Sequence, residues 1–318
     1  MRMSVIGCGR WGSFIAWYLH AIGHEVTLYG RAGSAHLRAL ADTRSNGLLT
    51  LSGDIRLTDE LAQALDAEVI CISIGAQSLS QLMAQIASRS VRGRTFVLCM
   101  KGIEAETGLR LSQIAEAAVG EGNSVAVWLG PGHVQEFVAG VPNCMVIDSR
   151  EEEVKLRLIS ALSGGLIRFY VGTDLIGNEV GAAAKNVIGI AAGMLDGLGV
   201  SSLKGALMSR STREVARLIE AMGGCGHSAY GLCHLGDYEA TVFSSHSHNR
   251  RFGELFVRGE PYGELAEGVA TARALRLLAD RYGVDMPICR AVYAVLNEGA
   301  DASEQMALLF TRSIKREF

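Results

Sequence analysis

The chain has 318 residues, 49% of them hydrophobic and 20% charged, with a mean hydropathy of +0.22. That length suggests about two domains and a core large enough to need neither disulfide nor metal staples. A net charge of −3 argues against nucleic acid, whose phosphate backbone calls for a strong basic excess. The seven cysteines are an odd count without a CxxC pair, and several lie in apolar runs such as "VICISIG", where a free thiol behaves as a small hydrophobe. This usage fits a reducing, cytoplasmic setting. No signal peptide is expected, because "MRMSVIGCG" reads directly as a buried strand entering a glycine turn. The most apolar stretch, "NVIGIAAGMLDGLGV", is broken by Asp196 and too short to cross a bilayer.

In chain order, residues 3–7 read as a first strand and 11–22 as a helix stopping at Gly23. Further strands are expected at 25–30, 68–75, 95–102, 124–130, 144–148 and 166–172. Runs that are apolar on both faces, separated by helical patterns, are the signature of a parallel sheet covered on both sides. The fold class is therefore α/β, a doubly wound parallel sheet. After Gly172 long helical patterns take over, at about 174–196, 203–222, 264–282 and 287–297. The chain is thus expected to divide into 1–172, a dinucleotide-binding domain, and 173–318, an all-helical substrate domain. Thr173 or Asp174 would cap the first long helix with a side-chain oxygen.

Gly7-Cys8-Gly9-Arg10-Trp11-Gly12 satisfies G-x-G-x-x-G. Alone the pattern is weak, but here it follows the first strand and opens a helix. In that context Gly7 permits the tight turn, Gly9 lets a pyrophosphate approach the backbone, and Gly12 packs helix against sheet. The helix N-terminus adds oriented N–H donors. The second strand ends "LYGR", with Arg31 where an acidic residue usually meets the adenine ribose. An arginine there either accommodates a 2′-phosphate or stacks on the adenine, so both NAD and NADP stay open.

Five further segments complete a combination with this turn: "MKGIE" (100–104), "GPGHVQEF" (130–137), "GNEVGAAAKNVIGIAAGMLDGLG" (177–199), "LGDYEATVFSSHSHNRRFG" (235–253) and "EGVATARALRLLADRYGVDMPI" (267–288). Together they resemble the NAD(P)-dependent glycerol-3-phosphate dehydrogenase family over nearly the whole chain, in the family's order. The resemblance implies a Rossmann-type domain followed by a helical one. It implies hydride transfer between NAD or NADP and the C2 carbon of dihydroxyacetone phosphate or sn-glycerol 3-phosphate, supplying phospholipid synthesis. It makes Lys185 the acid/base, with Asn186, Lys101, Asp237 and Thr241 beside it. Ser247, His248, Asn249, Arg250, Gly130 and Gly132 fall at substrate positions. Gly7, Gly9, Arg10, Trp11, Gly12, Arg31, His248 and Glu267 fall at cofactor positions, shared with Lys101.

The residues themselves are consistent with those roles. Reducing a ketone requires a proton at oxygen, and a lysine whose pKa is lowered by burial or a neighbouring cation can supply it. The surroundings of Lys185 are apolar nearly all round, which makes a solvent-facing lysine awkward there. Asp237 could orient the lysine or hold a substrate hydroxyl.

The chain also departs from the family. Gly130-Pro131-Gly132-His133-Val134 loses a serine hydroxyl and has histidine for an aromatic. At 248 histidine stands where the family has an arginine that grips the substrate phosphate or lies against the cofactor. Losing that permanently charged fork would cost about 1.5–3 kcal/mol unless Arg250, His246 or His133 compensates. Cys225, His227, Cys233 and His234 match no common zinc spacing, so no metal is expected. A related β-hydroxyacid dehydrogenase or ketopantoate reductase is the alternative function. Apolar faces on the C-terminal helices could form a homodimer interface or pack internally.

Overall fold

The computed structural model describes residues 1–313. By contact it divides into two compact units, Met1–Lys101 with Leu109–Leu175, and Gly102–Gly108 with Ile176–Phe318. The first holds one eight-stranded sheet: β1 (Arg2–Ile6), β2 (Glu25–Tyr29), β3 (Arg56–Thr58), β4 (Val69–Ile72), β5 (Thr95–Leu98), β6 (Ser124–Leu129), β7 (Asn143–Ser149) and β8 (Ile167–Val171). Their order across the sheet is β3-β2-β1-β4-β5-β6-β7-β8. The chain leaves β1 for one side of the sheet and returns at β4 on the other. Between β1 and β4, therefore, lies the switch point at which dinucleotides bind in such folds.

The sheet is not parallel throughout, because β6 and β7 pair antiparallel, Trp128 opposite Ile147. The strands "SVAVWL" and "NCMVIDS" are buried along most of their length, and a strand buried on both faces carries no local record of its direction. The short β3, three residues long, is below the length at which periodicity is legible. The strands are joined by α1 (Arg10–Ala21), α2 (Ala35–Thr43), α3 (Leu61–Leu65), α4 (Leu79–Ala87), α5 (Leu111–Val119), α6 (Val134–Val138) and α7 (Glu152–Leu162). Between β1 and β2, α1 buries Gly12, Phe14, Ile15, Tyr18 and Leu19. The Tyr18 hydroxyl donates to the Leu162 carbonyl at 2.7 Å, satisfying the one polar atom it buries.

In the second unit no strand occurs among the described residues. Its axis is α8 (Leu175–Gly197), which is buried at every position from Glu179 to Leu195. Such a helix is held by neighbours on all sides rather than by one apolar stripe. Around it stand α9 (Lys204–Ala221), α10 (His248–Val257), α11 (Glu267–Tyr282) and α12 (Pro287–Asn297), followed by α13 (Ala302–Phe310). The helices α10 and α13 were absent from the sequence expectation. The α10 segment begins in "HNRR", whose charges hide its apolar face. Before α8, the Asp174 N–H donates to the Asp148 carboxylate at 3.2 Å. All seven cysteines are free thiols.

Candidate active site and dinucleotide turn

The glycine turn sits where β1 ends, at the switch point. Gly7 has φ +114°, and its N–H donates to the Tyr29 carbonyl at 2.9 Å. A Cβ there would lie 2.0 Å from the Ser73 carbonyl oxygen, at the end of β4. A Cβ on Gly12 would lie 1.8 Å from the Gly7 carbonyl oxygen, so α1 can pack this close only without a side chain. Gly9 differs: a Cβ there meets nothing within 4 Å. The first and third glycines are thus required by the protein's own packing, and the second opens onto free space. That is the shape a pyrophosphate needs to reach the backbone at a helix N-terminus. Arg10 and Arg31 are exposed, while Trp11 packs on Phe14 and Phe137 with ring centroids 5.1 and 6.2 Å away.

Three more predicted residues lie at this same C-terminal edge of the sheet. Beyond β5, the Lys101 Nζ donates to the Gly130 carbonyl oxygen, beyond β6, at 2.6 Å. Gly130 and Gly132 both have positive φ, and a Cβ on Gly132 would lie 2.4 Å from the Phe137 ring.

In the second unit a separate cluster forms around Lys185. Its side chain lies in α8 with the residue 8% exposed. The Nζ stands 2.9 Å from the Asp237 Oδ2 and donates to the Thr241 Oγ1 at 2.8 Å. Asp237 is 1% exposed, and the Thr241 hydroxyl donates to the Asp237 carbonyl at 2.7 Å. Asp237 and Thr241 come from a non-α stretch: a 3-10 turn at Leu235–Asp237, then a π turn at Glu239–Phe243. Four residues apart, the two side chains both meet the lysine on α8. Next to the lysine, the Asn186 Oδ1 accepts from the Asn249 Nδ2 at 3.1 Å, and the Asn249 Oδ1 accepts from the Gly268 N–H at 2.9 Å. Gly268 follows Glu267, the first residue of α11. A buried ammonium with a carboxylate and a hydroxyl in hydrogen-bond contact can deliver or recover a proton at an oxygen placed beside it.

Models of the NAD-dependent glycerol-3-phosphate dehydrogenase family match the chain twice. The N-terminal model covers residues 2–155 and the C-terminal model residues 174–307. The chain belongs to this family. A glycerol-3-phosphate dehydrogenase [NAD(P)+] of Bradyrhizobium diazoefficiens is 38% identical over 99% of this chain and 98% of that protein. One from Fusobacterium nucleatum is 33% identical over 100% and 98%. The crystal structure of glycerol-3-phosphate dehydrogenase from Coxiella burnetii superposes with a TM-score of 0.91 at 25% identity, covering 98% of this chain and 99% of that one. Membership makes the chain an NAD(P)-dependent oxidoreductase.

Against the family pattern, the segment 247–250 divides in two. Ser247 caps α10, its hydroxyl accepting from the Arg250 N–H at 3.3 Å. The His248 Nδ1 lies 2.6 Å from the Tyr262 hydroxyl. Arg250 contacts Asp196 at 2.5 Å and Glu254 at 3.3 Å. Asp196 stands eleven residues after Lys185 on α8, about 16 Å along the axis. Arg250, expected among the substrate residues, is ion-paired here. Its guanidinium completes an ion-pair network in which Lys204 also meets Asp196 at 2.7 Å. Burial alone would raise the Asp196 carboxyl, but hydrogen bonds from Lys204, Ser201 and Arg250 hold it below its usual range. His246 is exposed.

Two groups near this cluster escaped the sequence. Tyr262 is an isolated tyrosine in a loop, fourteen residues from the histidine it meets. His234 had entered only as a candidate metal ligand, yet both its ring nitrogens have protein partners, Gly181 and Tyr238. A histidine three residues before an aspartate in a buried segment was the available signal.

Proposed function

We propose that the chain interconverts dihydroxyacetone phosphate and sn-glycerol 3-phosphate with Lys185 as the acid/base, supplying glycerol 3-phosphate for phospholipid synthesis in the cytoplasm. The observation that carries this reading is the buried contact of Lys185 with Asp237 and Thr241. When bound, NADH or NADPH supplies the hydride. The open Gly9 and the exposed Arg10 and Arg31 fit that dinucleotide, with Arg31 suited to a 2′-phosphate where NADP is used.

In reduction, the Lys185 ammonium donates a proton to the C2 oxygen. In the reverse direction the neutral amine takes it back. Asp237 pairs with the ammonium and fixes where it points. Thr241 holds a second ammonium proton, leaving the third for the substrate oxygen, since an ammonium has three donors. The Asn186–Asn249 pair is amide to amide, and it orders the neighbouring wall without adding charge.

Ser247, His248 and Asn249, at the start of α10, take the phosphate with the help of the helix N-terminus. Lys101, Gly130 and Gly132 are assigned to substrate at the sheet edge, and Glu267 to the cofactor. The free thiols suit a reducing cytoplasm. The exposed Leu308 and Phe310 of α13 offer apolar surface for a homodimer.

The test is oxidation of NADH and of NADPH with dihydroxyacetone phosphate and, separately, with ketopantoate. The expected result is turnover on the triose phosphate that Lys185→Ala lowers roughly 10²–10⁴-fold, the usual range for a positioned acid/base. Turnover on ketopantoate alone, or turnover indifferent to Lys185→Ala, would overturn the reading.

A further inference from the structure

Behind Asp237 lies a buried polar link that the proposed reaction does not use directly. His234 is 0% exposed and Tyr238 is 1% exposed. The His234 Nδ1 is 2.8 Å from the Gly181 carbonyl oxygen, and its Nε2 is 2.7 Å from the Tyr238 hydroxyl. A carbonyl can only accept, so Nδ1 carries the hydrogen. In the neutral ring Nε2 is then the acceptor, and the tyrosine donates to it. The Tyr238 oxygen also lies 3.0 Å from the Ser211 hydroxyl on α9.

The ends of this link are what give it meaning. Gly181 precedes Lys185 by four residues on α8, so its carbonyl belongs to the helical turn directly beneath the lysine. A Cβ on Gly181 would lie 2.9 Å from the His234 Cβ, so the close seating of the ring needs that glycine. At the other end, His234 and Tyr238 bracket Asp237 in sequence, and Thr241 lies one turn further on. We propose that His234 and Tyr238 are positioning residues for Lys185, an imidazole–phenol link tying the helical turn beneath the lysine to the segment that carries Asp237 and Thr241. The proposal rests on the reading of Lys185 as the acid/base.

Charge supports the same assignment. The titratable groups facing His234 are Asp237 and Lys185, and those beside Tyr238 are the Cys289 thiol from α12 and Glu214 from α9. Burial lowers His234 to about 4, with Lys185 acting in the same direction against the Gly181 hydrogen bond and Asp237. The ring is therefore neutral at working pH, and it does not draw the Asp237 carboxylate away from Lys185. A charged residue in its place would compete for that carboxylate, and an apolar one would leave the Tyr238 hydroxyl without its nearest acceptor. A buried polar link of this kind is stable only when each member is satisfied, so cutting it at one point releases the whole.

Tyr238→Phe removes one oxygen and keeps the ring. His234→Asn keeps an N–H for Gly181 and loses the acceptor for Tyr238. Each change is expected to lower kcat for dihydroxyacetone phosphate reduction about five- to tenfold, the worth of one buried hydrogen bond expressed in the transition state. The KM values for substrate and for NADH should stay within about twofold, because no binding group is touched. The double variant should be no slower than either single one, since both cut the same link.

Losses that multiply in the double variant, or wild-type kcat in Tyr238→Phe, would overturn the proposal. Lys185→Ala run alongside separates the two readings. A dead Lys185→Ala enzyme beside a fully active Tyr238→Phe enzyme removes only the positioning pair, whereas an active Lys185→Ala enzyme removes the acid/base. Nitrogen-15 NMR of the unmodified protein near neutral pH gives a check independent of any variant's folding. A neutral His234 protonated on Nδ1 is expected, and an imidazolium or an Nε2-protonated ring would overturn the link.

Discussion

His248 opens α10, a position where oriented backbone N–H groups already favour an anion. Its Nδ1 partner, Tyr262, is itself edge-on to Phe252 with ring centroids 5.9 Å apart. The imidazole meets the tyrosine through its Nδ1, and it lacks the planar two-pronged donor set of a guanidinium. Arg250 is ion-paired with Asp196, and an arginine at 248 should add a second permanently charged grip at the start of α10. His248→Arg is expected to lower the KM for dihydroxyacetone phosphate about tenfold, the worth of one charge-assisted hydrogen bond. Steady-state kinetics checks this, and an unchanged or higher KM would take residue 248 out of phosphate binding. The Lys185 surroundings were legible because a charge in the middle of "AAAKNVIGIAAG" conflicts with its apolar neighbours. The commitment of Arg250 was not, because Asp196 lies 54 residues away in sequence.

Along α8, Gly189, Gly193 and Gly197 recur every four residues and so share one face. Against that face α10 lies backbone to backbone. A Cβ on Gly193 would come within 1.8 Å of the Arg250 carbonyl oxygen, and one on Gly197 within 2.3 Å of Val257. The approach is reciprocal, since a Cβ on Gly253 would come within 2.1 Å of the Ile190 carbonyl oxygen. The same contact sets Asn249 beside Asn186. Gly193→Ala should therefore cost about 1–3 kcal/mol, as overpacking a rigid contact does. It should also lower activity by displacing α10 from the Lys185 region. Thermal unfolding monitored by circular dichroism checks the first effect, and an unchanged Tm would mean that α10 withdraws without cost. The four-residue glycine spacing was visible in the sequence. The helix it receives was not, because "HNRRFGELFV" reads as polar until its partner is known.

Taken whole, the second unit buries two titratable groups with opposite effects on stability. Burial pushes Glu214 up to about 7 from 4.5, against the amide N–H groups of Ile288 and Cys289 at the start of α12. His234 moves the other way, from 6.5 down to about 4. A carboxyl that holds its proton longer in the folded state loses stability as pH rises, here from about 4.5 to 7. A histidine that is harder to protonate when folded loses stability as pH falls, here from 6.5 to about 4. Each shift corresponds to roughly 3 kcal/mol, so the two slopes oppose one another where the windows overlap. Relative to the parent, Glu214→Gln should make stability fall more steeply toward acid, and His234→Asn should make it fall more steeply toward neutral pH. Urea denaturation at a series of pH values checks the slopes. Two variants with parallel profiles would show that these groups are not the ones being titrated.

By itself the sequence determined the features that rest on local spacing. These are a sheet of doubly apolar strands, a glycine turn opening the first helix, a helical second half and a lysine that its apolar helix cannot leave in water. Periodicity records which face of an element is buried, because neighbouring side chains must share that face. It does not record what lies opposite. The antiparallel run of β7, the tautomer of His234, the Tyr262 contact of His248 and the commitment of Arg250 were decided only by the tertiary structure. Each depends on a partner brought from a distant part of the chain, and only the folded backbone holds a donor and its acceptor within 3 Å.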